Sequence, residues 1–169
     1  MGRFRKIHRY PSFQNERDLR NFHISLLHSL ALPCIAEGDF YGLNWSNMET
    51  PGYGRASGDS VSGHWLYAFL KHDRKSGQTA LIICNLSPSE ESSDISVSIP
   101  PNAWEWCGIR HDFLYFIDAL NISLPFTCTK SLTETEGISL RIPHGKASIL
   151  LVTKSLPPSE RLDRLSFES

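Results

Sequence analysis

Acid–base cleavage of an acetal needs two carboxyl groups roughly 5 to 9 Å apart, one of them kept protonated by burial. Three groupings in this chain approach that by spacing: Glu37 with Asp39, Glu134 with Glu136, and Asp112 with Asp118. Gly38 between the first two marks a solvated turn, and Glu134 and Glu136, set among threonines before Gly137, read as the exposed side of a strand end. Asp112 and Asp118 bracket an apolar run, which makes Asp118 the better candidate for a buried, hydrogen-bonding acid. Histidine chemistry has less support. The closest pair, His23 and His28, is five residues apart on a predicted helix, off the spacing of three or four that puts ligands on one face. His64 and His72 share a strand face but lie roughly 26 Å apart in an extended chain. Cys34, Cys84, Cys107 and Cys128 form no C-x-x-C pair, so neither a zinc knuckle, a redox motif nor a disulfide framework is predicted. Cys34 and Cys84 sit inside apolar runs and read as small buried thiols. No nucleophile elbow, P-loop, H-E-x-x-H or EF-hand string occurs, so neither a metal nor a cofactor is expected.

Aromatic rings are the other chemical resource. Trp104 and Trp106 follow Pro100-Pro101 and could form a stacking platform for a sugar ring. The favoured alternative is a short helical turn after the double proline, with at least one indole plugging the end of the domain. Trp45 and Tyr53 lie in a Gly-, Pro- and Ser-rich stretch from Asn44 to Gly63. Loops of this length without structure of their own are usually functional or mobile, and Tyr53 and Arg55 could touch a ligand or a neighbouring domain.

The elements that would position these groups follow from periodicity. Residues 1–14 form a basic leader (Arg3, Arg5, Lys6, His8, Arg9) without the apolar run of a secretory signal. Residues 15–33 predict one amphipathic helix: Asn15 can cap it, Glu16 and Asp18 place negative charge in its first turn, and Leu19, Phe22, Leu26, Leu27 and Leu30 recur on one face. Pro33 is expected to close it. Residues 34–153 then change to short alternating or apolar runs separated by Gly, Pro, Ser, Asn and Asp, the pattern of an antiparallel, Greek-key-like β-sandwich. Strands are predicted over 40–43, 64–72, 79–85, 94–99, 113–120, 138–142 and 147–153, with weaker ones at 126–129 and 132–135. Residues 154–169 read as a poorly packed tail. The predicted class is mainly β, preceded by one helix.

Two strands are apolar on both faces. Trp65, Tyr67 and Phe69 oppose Leu66, Ala68 and Leu70, while Ala80, Ile82 and Cys84 oppose Leu81 and Ile83. Such strands are expected to be central and covered on both sides, in part by the leading helix and in part by a domain outside this chain. At 169 residues with a formal charge of -1, the chain has room for one core and no net field for a nucleic-acid backbone. No stretch approaches the roughly 20 apolar residues of a membrane span. A cytoplasmic location is expected.

Taken together, the phrases of this sequence resemble the C-terminal end of glycoside hydrolase family 13, the α-amylase family. Leu19 to Leu30 looks like the helix that closes the family's catalytic barrel. Ala31-Leu32-Pro33-Cys34-Ile35-Ala36-Glu37-Gly38-Asp39-Phe40 is similar to the phrase leading into the family's all-β domain C. His64 to Leu70 and Ala80 to Ser87 resemble that domain's paired strands, and Ile142 to Leu150 resembles its closing turn and strand. The resemblance covers residues 16 to 153 and implies a domain C preceded by the last barrel helix. It also implies what the chain lacks, because the family's catalytic acids lie on barrel strands and their motifs do not occur here. Arg110-His111-Asp112 ends in two letters of one such motif but precedes a β run, so no catalytic residue is assigned. A (β/α)8 barrel needs roughly 200 or more residues, beyond what this chain can hold.

The resemblance therefore implies a non-catalytic domain that packs against and stabilises a catalytic (β/α)8 barrel of a hydrolase or glucanotransferase. The expected contact residues are Leu19, Phe22, Leu26 and Leu30, and the exposed apolar surface left without the barrel could also support a homodimer. The alternative is an independent carbohydrate-binding sandwich that captures α-glucan on Trp45, Tyr53, Trp104 and Trp106. Exposed coplanar rings would favour this alternative; buried indoles would favour the supporting domain.

Overall fold

The computed structural model describes residues 16–49, 53, 65–87, 94–120 and 125–155. The leader, the Asn15 cap, Arg55, most of the 44–63 stretch and the tail beyond Ser155 lie outside the described residues. The chain runs α1 (Glu16–Leu30), α2 (Pro33–Ala36), β1 (Asp39–Gly42), α3 (Asn44–Asn47), β2 (Leu66–Asp73), β3 (Gln78–Asn85) and β4 (Asp94–Val97). It continues through α4 (Pro101–Trp106), β5 (Phe113–Asp118), β6 (Phe126–Thr129), α5 (Lys130–Thr135), β7 (Ile138–Arg141) and β8 (Lys146–Thr153).

Six strands form one antiparallel sheet in the order β1-β2-β3-β8-β5-β6, and β4 pairs with β7 in a second sheet of two. The fold is thus mainly antiparallel β, as the strand periodicity predicts. Leu66, Ala68, Leu70, Leu81, Ile83, Leu114, Phe116, Leu150 and Val152 project from the large sheet into the main core. Ile95, Val97 and Ile138 close it from the small sheet, and Ala103, Trp104 and Cys107 close it from α4 and its end. Each Leu, Ile, Val or Phe among them contributes roughly 1.5–3 kcal/mol on leaving water.

Particular residues explain particular elements. Asp73 starts the β2–β3 turn: its carboxylate accepts from the Ser76 hydroxyl (2.6 Å), Ser76 N (3.0 Å) and Lys75 N (3.1 Å). Gly77 completes that turn at φ 70°. Asn47, fully buried, donates to the carbonyls of Leu43 and Ser98 at 2.8 Å each and accepts from Ser98 N at 2.7 Å, tying α3 to the strand end after β4. Asn85 likewise donates to Ile142 O (2.8 Å) from a buried position.

Some expectations are corrected. Pro33 does not simply end the leading helix. The helix stops at Leu30, and Pro33 opens a second short helix at the position where a missing N–H costs nothing. Residues 132–135 are helical rather than extended, because Thr129 caps α5 by accepting from Leu132 N (3.2 Å). Glu134 consequently sits on a helix and Glu136 at its end. Strand β3 is covered on both faces, but the cover on its outer side is α2, whose Cys34 packs with Ala80 and Ile82. Strand β2 is covered on that side only in part: Phe69 packs against the same cluster, while Tyr67 is 43% exposed.

Candidate functional site

The four aromatic residues considered for sugar contact occupy different environments. Trp104 is fully buried and its indole N–H donates to Thr133 Oγ1 (3.0 Å); Thr133 in turn donates to Lys130 O (2.6 Å). Tyr53 is also fully buried, and its hydroxyl meets the Asn44 side chain while accepting from Ala68 N (3.1 Å). Burial pushes that phenol up to about 12. Neither ring is open to solvent in this structure. Trp106 is half-buried and packs against Tyr41 (centroids 5.3 Å apart) and edge-on to His72 (5.8 Å). Among these four, Trp45 alone stands open, at 85% exposure, and no partner ring lies beside it among the described contacts.

Among the described residues, two surface recesses are lined with charged groups. One, of about 370 Å³, is lined by Glu105, Gly108, Ile109, Arg110 and Lys130. The other, of about 210 Å³, is lined by Glu37, Asp39, His72, Asp73, Arg74 and Lys75. Its carboxylates are engaged: Asp39 pairs with Arg74 (3.0 Å), Glu37 with Lys75 (3.5 Å), and Asp73 is held low by the Ser76 hydroxyl and the Lys75 and Ser76 amides. An acid for glycoside chemistry needs the opposite shift. His72 is buried, bonds Thr79 Oγ1 through Nδ1 (2.9 Å), and is held below the usual imidazole range by burial and by Arg74. Asp118 is buried, as its position in the apolar run predicts, and accepts from Leu120 N (2.8 Å). That bond holds the turn after β5. Among the described residues no group of three or more His, Cys, Asp and Glu side chains could hold a metal ion. No helix among them is long and apolar enough to cross a membrane.

The surface of α1 is more informative than either recess. At about 100° per residue, its apolar stripe divides into two flanks. Phe22, Leu26 and Ser29 lie on one flank; Phe22 and Leu26 are half-buried, and Ser29, buried, donates to Ala119 O (3.1 Å) at the end of β5. Leu19, Leu30 and Leu27 lie on the other, at 36%, 50% and 65% exposure. The helix therefore docks through one half of its stripe and leaves the other half in water. Of the residues predicted to face a missing neighbour, Leu19 and Leu30 are on the open flank, while Phe22 and Leu26 already serve the inner one. Leu27, the most exposed of the set, was read as part of the stripe but not as a contact. A second open surface lies on the outer side of β1 and β2. Phe40 (52% exposed) packs on Phe69 (centroids 5.0 Å apart) and Tyr67 packs on the other side of Phe69 (5.5 Å).

These features define a mainly antiparallel β domain led by a half-docked helix. No family model matches the chain, and no curated protein does. Among solved structures, an α-amylase from Geobacillus thermoleovorans complexed with acarbose aligns at a TM-score of 0.49 and 10% identity, over 86% of this chain and 25% of that one. This chain thus spans about a quarter of that protein's length.

Proposed function

We propose that this chain is a non-catalytic β-domain of an α-amylase-family glycoside hydrolase or glucanotransferase, and that it packs against and stabilises a catalytic (β/α)8 barrel through α1. The observation that carries the reading is the split stripe of α1. A helix that served only this domain would keep its apolar residues on the docked side. Leu19, Leu27 and Leu30 instead present about one and a half leucine side chains to water, worth roughly 2–4 kcal/mol if a neighbour covered them.

The sequence phrases that resemble domain C support the same reading by where they fall. The phrase from Ala31 to Phe40 forms α2 and the start of β1, the paired phrases form β2 and β3, and the closing phrase leads into β8. These strands are consecutive neighbours, β1-β2-β3-β8, so the resembling residues build one continuous part of the sheet. Capture of α-glucan by this domain has weaker support, because Trp104 and Tyr53 are core residues and Trp45 has no partner ring among the described contacts.

The test is the coding sequence upstream of this segment. The expected result is a frame continuous with Glu16 that encodes roughly 250 residues of alternating strands and helices with paired acidic residues at strand ends. A stop codon or an unrelated fold in that frame overturns the proposal.

A further inference from the structure

Strand β1 is the end strand of the six-stranded sheet, and the phase of its hydrogen bonds is fixed by Leu43 N, which donates to Ala68 O (3.0 Å). In an antiparallel ladder, residues whose N–H and C=O face the partner alternate with residues whose groups face away. The register Asp39↔His72, Tyr41↔Leu70 then puts the odd-numbered backbone groups of β1 toward β2. The N–H and C=O of Phe40 and Gly42 point off the sheet edge. Both residues are exposed.

We propose that this edge is a self-association surface, on which a second copy of the chain adds its own β1 antiparallel about a twofold axis through Tyr41. In that register Phe40 of each copy lies opposite Gly42 of the other, and the four outward-facing residues form two closed rings with four N–H···O=C bonds. Shifting the register by one residue would set outer faces against inner ones, so few alternatives exist.

Three observations favour a second copy as the occupant. The edge offers only two outward-facing residues, and pairing with itself satisfies both in each copy with none left over. Phe40 and Gly42 share the outer face, so each Phe40 ring meets a position without a side chain; a Cβ at Gly42 would already lie 3.4 Å from the Phe40 ring of its own strand. The Phe40–Phe69–Tyr67 rings of the two copies would then close over the junction as one apolar strip. The formal charge of -1 adds little repulsion between copies. The proposal does not rest on the barrel reading, because it uses the β1 edge and leaves the open flank of α1 free.

The test combines association with register. Sedimentation equilibrium of the chain up to about 0.2 mM is expected to show a monomer–dimer equilibrium, with Gly42→Arg weakening it at least about tenfold and Leu27→Glu leaving it unchanged. At the proposed axis the two Tyr41 residues form a non-hydrogen-bonded pair with Cα atoms about 4.5 Å apart, inside the disulfide range. Tyr41→Cys, placed in a Cys84→Ser, Cys128→Ser background to remove the two half-buried native thiols, is expected to cross-link on mild oxidation, while Phe40→Cys in the same background is not. A monomer throughout overturns the proposal. So does a dimer that Leu27→Glu abolishes and Gly42→Arg spares. If Tyr41→Cys does not fold, judged by circular dichroism, the Gly42→Arg comparison decides alone.

Discussion

Replacing Trp104 by Phe separates a core role from a ligand-binding one. The indole is fully buried, and its N–H meets Thr133 Oγ1 at 3.0 Å. Phe removes part of the ring, leaves a small cavity, and deprives Thr133 of a donor, although the threonine hydroxyl keeps its own bond to Lys130 O. The transfer and cavity terms come to roughly 1–2 kcal/mol, and the lost hydrogen bond adds about 1, for an expected loss of about 2–3 kcal/mol. With a urea slope near 2 kcal/mol/M for a domain of this size, the midpoint should fall by about 1–1.5 M. Thr133→Val should cost about 1–2 kcal/mol, and the double variant should cost about 1 kcal/mol less than the sum, because both single changes break one bond. Trp45→Phe, at a position 85% exposed, should shift the midpoint by the equivalent of less than about 0.5 kcal/mol. Urea melts followed by far-ultraviolet circular dichroism give all four values. A Trp104→Phe protein as stable as the parent, or additive losses in the double variant, would refute the placement of this indole.

Three further outcomes follow from other parts of the molecule. Asn47→Ala removes the bonds donated to the Leu43 and Ser98 carbonyls and the one accepted from Ser98 N at a buried position and should cost about 2–4 kcal/mol in the same melts, whereas Ser46→Ala, which loses its bond to Leu43 O and a long 3.4 Å bond from Asn47, should cost less than about 1. His72 is held low in the folded state by burial and Arg74, so its neutral form is favoured there. Its contribution to stability is present above the imidazole's unfolded value near 6.5 and is lost as pH falls through the lower folded value; His72→Gln should flatten the stability profile in that acid window. Burial pushes the Cys34 thiol up to about 11 and that of Cys107 to about 12, so native protein at pH 8 should resist iodoacetamide at both and react fully only after unfolding, as mass spectrometry of the peptides would report.

Much of the sheet was legible because its signals are local. The alternation of Leu66, Ala68 and Leu70 with Tyr67 and Phe69, the turn chemistry of Asp73 to Gly77, and the alternation from Ala147 to Thr153 each specify a strand without reference to the rest of the chain. The double proline before α4 worked in the same way. What failed depended on distant partners. Residues 132–135 alternate well enough for a strand, and the capping bond at Thr129, outside that run, favours the helix. Whether an aromatic faces core or solvent was least legible: Trp104 and Trp106 are two residues apart, yet Thr133, 29 positions away, holds the first inside. The division of the α1 stripe was equally hidden, because its apolar residues repeat with one period and only the contact of Ser29 with Ala119 shows which flank is docked. No local signal marks Tyr53 as buried; its place depends on meeting Asn44 and Ala68.

Amide hydrogen exchange along Glu16–Leu30 tests the supporting-domain account most directly. It should be measured in this chain alone and in the full product of its reading frame. The account predicts that the amides from Leu19 to Leu30 exchange through low-cost opening of the half-docked helix in the isolated chain and slow by about 100-fold or more when the upstream polypeptide is attached. Equal exchange in the two proteins would mean that nothing covers Leu19, Leu27 and Leu30, and would contradict it.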